Sequence, residues 1–253
     1  MITIQILPDA RTLSDFAAQL FADILRDSVL VRGRFMTAIS GGGTPVALYR
    51  ILAQSPYRES ISWEKVEFFW GDERCVPPDD SENSYNQAYT AWLSHVPVSE
   101  KNIHRILGEL GPGLAAEDYA QKLSGFADNG HIWPRFDLVL LGLGADGHTA
   151  SLFPGSSQLS GVPTVAVNAN YQDRPAKRVS LTPDVINSAI NVVFLAVGIE
   201  KASALANTIC GARDSSKFPA QRIQPVNGNL WWLVDEAAAS LLPDCIDGVT
   251  IQR

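Results

Sequence analysis

Apolar and polar positions change rhythm repeatedly along the chain. Ile2–Leu7 alternates and reads as a strand. Residues 13–31 then place Phe16, Leu20, Ile24 and Val31 at helical spacing. Phe35–Ile39 and Val66–Trp70 are short apolar runs that predict strands. The first of them leads through Ser40-Gly41-Gly42-Gly43-Thr44-Pro45 into a helix predicted from Pro45, a residue suited to a helix start, to Leu52. Helices are also predicted over 81–92, with Ser81 as cap, and over 114–126; 103–107 predicts a short strand. Segments 136–141 and 191–197 are apolar almost throughout, as strands covered on both faces are. Segments 162–167 and 178–181 are β-like, 183–189 and 200–209 helical, and 230–234 is a last strand before an alanine-rich helix from Glu236. Strands separated by helices predict βαβ units, hence an α/β fold on a mainly parallel sheet. The one linker-like stretch, 108–113, is too short to divide domains, so residues 1–253 are expected to form a single domain.

Composition narrows the class. A chain of 253 residues, 46% apolar and 19% charged, is ordinary for a globular protein and needs no covalent staple. A net charge of −7 argues against nucleic acid and anionic membranes as partners. It leaves room for an anionic small substrate, because one pocket can be basic on an acidic protein. The three cysteines, Cys75, Cys210 and Cys245, are widely spaced and form no CxxC, so neither a disulfide framework nor a metal site is expected. The amino terminus lacks the basic start and apolar run of a signal peptide, and no apolar run reaches membrane-spanning length. The expected location is the cytoplasm.

Loops that follow parallel strands share one edge of the sheet, where open α/β sheets place their ligands. Four predicted loops qualify: 40–45, 71–78, 142–148 and 198–201. In the first, three glycines before a helix start bring backbone N–H groups within reach of an anion, although the ending of a Walker A loop is absent. The whole loop, 40–45, is thus a candidate for phosphate binding, with an ordinary glycine turn as the equal alternative. The third carries Gly142-Leu143-Gly144-Ala145-Asp146-Gly147, a literal match to the dinucleotide fingerprint. Pro154 and Gly155 interrupt the helix such a site requires, and no carboxylate ends the next predicted strand, so no nucleotide cofactor is expected. His148 follows directly, before what reads as a short helix start. A lone histidine is more often structural, but a glycine-rich strand end favours a general base. His95, His104 and His131 lack that setting and read as structural. Asp72, Glu73 and Arg74 crowd one strand end, offering a carboxylate to orient a base and a guanidinium to hold an anion. Lys201 and Arg178 suit anion binding, though each taken alone reads as a surface cation.

Together these segments resemble the 6-phosphogluconolactonase family: Ser40 to Pro45, Trp70-Gly71-Asp72-Glu73-Arg74-Cys75-Val76-Pro77, Ser81 to Asn86, and Leu141 through His148 to Pro154. Arg178 to Pro183, Val197 to Lys201 and Phe218-Pro219-Ala220 extend the likeness over nearly the whole chain. The resemblance implies a three-layer α/β fold of the glucosamine-6-phosphate isomerase type. It implies hydrolysis of 6-phospho-D-glucono-1,5-lactone without metal or cofactor, in the oxidative pentose phosphate pathway. It also implies His148 as general base, Asp72 and Arg74 as its supporting polar pair, and Gly42, Gly43, Thr44, Arg178 and Lys201 as phosphate-binding groups. The partner is then a small phosphorylated sugar lactone, and the chain a monomer or weak homo-oligomer. One alternative is a glucosamine-6-phosphate deaminase, which carries a carboxylate just after the histidine; Thr149 to Pro154 contains none. The other is a non-catalytic sugar-phosphate sensor, which usually carries a basic DNA-binding segment that this chain lacks.

Overall fold

The computed structural model describes residues 1–127, 130–156 and 160–253. The first half runs β1 (Ile2–Leu7), α1 (Ala10–Arg32), β2 (Phe35–Ile39), α2 (Gly43–Leu52), α3 (Tyr57–Ser60), β3 (Val66–Trp70), β4 (Asp72–Arg74), α4 (Ser84–Ala91) and α5 (Pro112–Ser124). The second runs β5 (Leu138–Gly142), β6 (Thr164–Asn168), β7 (Lys177–Leu181), α6 (Pro183–Asn187), β8 (Asn191–Ala196), α7 (Ala202–Ile209), β9 (Asn229–Asp235), α8 (Glu236–Ala239) and β10 (Val249–Gln252).

Seven strands form one sheet in the order β10-β1-β9-β8-β5-β2-β3, every pairing parallel. In β2 and β8 every residue is buried. Successive side chains point to opposite faces, so both faces are covered and the sheet is the middle of three layers. Helix α1 owes its ends to local chemistry. Asp9 accepts from the Thr12 N–H at 2.8 Å, and Gly33, at φ 74°, turns the chain out while donating to Val29 O. Trp92 anchors one side of the core, with Phe21, Tyr49, Trp63 and Phe68 around it at 5.1–5.6 Å. In-register Phe194 and Trp232 stack at 3.9 Å on neighbouring strands.

Strand order reverses between β2 and β5. Their pairing lasts only for Thr37–Leu138 and Ala38–Val139. Beyond it the strands are joined by a side chain, Ser40 Oγ donating to Leu140 O at 2.6 Å. This reversal opens a crevice at the carboxyl ends of the strands. A second, antiparallel sheet, β4-β7-β6, stands beside it.

Several expectations shift. Asn83, not Ser81, caps the fourth helix: its side chain accepts from Asn86 N–H, and the helix starts at Ser84. Helix α2 begins at Gly43, two residues before Pro45. The run 103–107 makes only one bridge, Ile103 to Phe68, before Gly108 passes beneath the Arg74 carbonyl, where a Cβ would come within 2.6 Å. No helix follows His148; the chain instead closes a Thr149–Leu152 bridge. The sequence pattern predicts neither β4 nor β10: both are short, and β4 is wholly charged. Among the described residues no helix is long and apolar enough to cross a membrane.

Candidate active site

Two buried tyrosines fix where the loops leave the sheet. Tyr49 Oη donates to Ser40 O at 2.6 Å and accepts from Ser40 N–H at 3.2 Å. Tyr119 Oη does the same for Trp70, at 3.0 and 2.8 Å. Burial holds both phenols protonated by pushing their pKa values well up. The glycine loop therefore starts from a fixed peptide, and so does the turn into β4.

Gly42, at φ 108°, caps α2 with no side chain of its own. Its N–H donates to Gln87 Oε1 at 2.9 Å, whereas the N–H groups of Gly43 and Thr44 have no acceptor among the described residues. Two donors left open at a helix start are an arrangement that an anion can engage. Across the cleft, Asp235 accepts from Gly198 N–H at 3.0 Å and from Ala238 N–H at 2.8 Å. It thereby seats the turn that presents Lys201.

The small sheet supplies more charge. Register places Arg74 directly opposite Arg178, and Asp72 opposite Ser180. Like charges facing each other across a strand pair are destabilising, and here both are buried, 6% and 3% exposed. Taken alone Arg178 reads as a surface cation; the structure makes it an interior one that lines the cleft. Burial pulls its pKa down, the Asp72 carboxylate pulls it back up, and the Arg74 and Arg174 guanidiniums push it down again. Arg74 Nη1 donates to Glu82 O, while Arg74 Nε and Arg178 Nη2 are buried without a partner among the described residues. Unpaired buried donors are costly; two on one wall mark a place for an acceptor-rich ligand.

His148 occupies the head of β5. Gly144 permits it, since a Cβ there would lie 2.0 Å from His148 Nδ1. Phe153 stacks on the imidazole at 4.5 Å and Tyr171 meets it edge-on at 4.6 Å. Nδ1 is bonded to Asp146 Oδ1 at 2.6 Å. The orienting carboxylate is therefore Asp146, not Asp72, whose Oδ2 accepts from Ser151 Oγ at 2.7 Å. Burial raises the Asp146 pKa, but the hydrogen bond and charge of His148 outweigh it and hold the carboxyl below its usual range. An acceptor on Nδ1 favours the neutral tautomer with its proton there, which leaves the Nε2 lone pair open to the cleft.

The resulting cleft of about 210 Å³ brings together Gly42, Gly43, Thr44, Asp72, Arg74, His148, Arg178 and Lys201. Asp146 was missed as a partner because only the fold reveals which carboxylate meets the ring. Tyr171 and Arg174 were missed too. They flank the tip of the β6–β7 hairpin, a two-residue turn whose Gln172 and Asp173 both take positive φ, 50° and 55°. That turn lacks the Asn-Gly signature of its type. The other histidines stand outside this cleft: His104 Nε2 meets Glu67 at 2.7 Å while stacked on Phe69, His95 meets Thr90 O, and His131 is exposed.

Residues 8–232 match the family model described as glucosamine-6-phosphate isomerases/6-phosphogluconolactonase. The chain belongs to this family. Family relatives named 6-phosphogluconolactonase include one from Nostoc, 36% identical over 95% of this chain and 98% of its own length. Another, from Synechocystis, is 40% identical over 85% of this chain and 88% of its own. The solved 6-phosphogluconolactonase of Trypanosoma brucei superposes with a TM-score of 0.85 at 28% identity, covering 96% of this chain and 99% of that one. The deaminase alternative is distinguished by a carboxylate expected just after the histidine. Here Thr149 Oγ1 donates to Gly142 O and Ser151 to Asp72, and no carboxylate stands among residues 149–154.

Proposed function

We infer that the chain hydrolyses 6-phospho-D-glucono-1,5-lactone to 6-phosphogluconate, a step of the oxidative pentose phosphate pathway, with residues 1–253 acting as one catalytic unit. The observation that carries the mechanism is the Asp146–His148 pair, whose free Nε2 sits in a cleft walled by cations. A lactone is an activated ester, so water suffices as nucleophile. Nε2 takes a proton from the water as its oxygen bonds to C1. Arg74, through its unpaired Nε, stabilises the oxyanion, a role worth about 3 kcal/mol per donor in other hydrolases. Collapse breaks the bond from C1 to the ring oxygen, and the imidazolium returns the proton to that oxygen. The N–H groups of Gly43 and Thr44, with Arg178 and Lys201, hold the phosphate and thereby fix C1 against the water. Asp72 anchors Ser151 and offsets the guanidinium charge.

The test is an assay on freshly generated 6-phosphogluconolactone with spontaneous hydrolysis subtracted. Product above that background supports the reading, and none refutes it. The reaction as written needs no Lewis acid or redox group. Prolonged EDTA treatment and nucleotide removal are therefore expected to leave the rate unchanged; loss restored by a divalent cation would overturn the mechanism.

Arg178→Met separates binding from stability. Losing a charge-assisted bond to phosphate is expected to weaken 6-phosphogluconate binding about 10- to 100-fold. Relief of the buried Arg74–Arg178 repulsion keeps the melting temperature level or raises it. Lys201→Ala should weaken binding in the same direction. Arg174→Ala should act more weakly, because Arg174 stands exposed at the rim. Equal losses on phosphorylated and unphosphorylated lactones would assign Arg178 to the fold or the chemistry instead.

A further inference from the structure

Glu73 is the buried acid that the mechanism does not use. It is fully buried between Asp72 and Arg74. Its Oε1 accepts from Ser84 N–H at 2.6 Å and Arg74 N–H at 2.8 Å, and its Oε2 from Tyr85 N–H at 2.9 Å. Ser84 and Tyr85 are the first two residues of α4, so the carboxylate takes up N–H donors that a helix start leaves open. Asn83 takes up the next one.

What lies at the other side of that helix start is the glycine loop. Gln87, one turn into α4, supplies the acceptor for Gly42 N–H. Ser84 abuts Gly41 so closely that a Cβ on Gly41 would lie 2.5 Å from Ser84 Oγ. A continuous path thus runs from Glu73 through the α4 start to the peptide that opens the anion seat. Holding a carboxylate here is costly. Burial pushes its pKa up to about 7 despite the three N–H bonds, and Asp72 adds repulsion. Tyr119, Cys75 and Arg105 are the other titratable groups that sense it.

We propose that Glu73 is a positioning residue for substrate phosphate: through Ser84, Tyr85 and Gln87 it sets the glycine loop at the register in which the Gly43 and Thr44 amides meet the anion. The proposal rests on the reading of that loop as the phosphate seat. In Glu73→Gln one oxygen becomes an NH₂ group that faces a backbone N–H whichever way the amide lies. In Gln87→Leu the last link is removed at a half-buried position, together with the bond from Gln87 Nε2 to Ser81 O at 2.8 Å.

Each variant is expected to raise KM for the phosphorylated lactone about 3- to 10-fold, the effect of one misplaced hydrogen bond, with kcat within about twofold. Sulfate affinity, measured calorimetrically, should fall by the same factor, while kcat/KM on unphosphorylated gluconolactone stays level. Because both act through one path, the double variant should be no worse than the poorer single one. Additive effects, equal losses on both lactones, or wild-type sulfate affinity in Gln87→Leu overturn the proposal. Should Glu73→Gln fail to fold, Gln87→Leu alone decides between these outcomes. Wild-type protein that binds sulfate but leaves the lactone untouched would refute the proposed activity and leave the positioning role standing.

Discussion

Replacing His148 with alanine is expected to lower kcat by about 10²–10⁴, the range for a lost general base. Binding of 6-phosphogluconate should change little, because the groups proposed to hold the phosphate lie elsewhere in the cleft. The ring is held from three sides, by Asp146 on Nδ1, Phe153 on its face and Tyr171 at its edge. Its removal takes away the one imidazole among the described residues of the cleft. Steady-state kinetics above the spontaneous rate decide the matter, and wild-type turnover in the variant would remove His148 from the chemistry.

Asp146→Asn should be nearly as severe, lowering kcat by about 10²-fold or more through the wrong tautomer. The asparagine amide can donate to Nδ1, which moves the ring proton to Nε2 and blocks the base. Asp146→Ala, which imposes no tautomer, should retain more activity than Asp146→Asn. The reverse order would mean that Asp146 acts by holding the ring in place rather than by fixing its tautomer, and equal losses that it acts by charge alone. The sign of its pH effect also follows. The Asp146 carboxyl lies below its ordinary range, so its contribution to stability is complete above the unfolded value of about 4 and is lost as pH falls through the folded one. The asparagine variant should therefore lose less stability than the wild type between neutral pH and acid.

The parallel sheet was legible because its strands are unbroken apolar runs and its helices carry a different period. The edge that holds the site was legible for the same reason, since each loop inherits its place from the strand before it. What the chain does not reveal is side chains meeting across sheets. Arg178 reads as a surface cation until β4 and β7 pair it with Arg74, and β4 itself is three charged residues that no apolar pattern announces. Asp72 and Asp146 are equivalent as letters; the tight turn 144–148 chooses between them by folding Asp146 back under His148. Ser81 and Asn83 both qualify as caps, and Glu73 tips the choice by binding the two amides that follow Asn83.

The crowding of guanidiniums at the cleft has a consequence for encounter. The molecule as a whole carries −7, so a doubly charged anion approaching most of its surface meets a repulsive potential. Arg74, Arg174, Arg178 and Lys201 face the cleft with Asp72 as the one carboxylate among its lining residues. The field thus reverses sign over a few residues, and approach trajectories are funnelled towards the mouth. Added salt, with a screening length of about 8 Å at physiological strength, acts on that funnel and leaves the bond-breaking step inside it largely untouched.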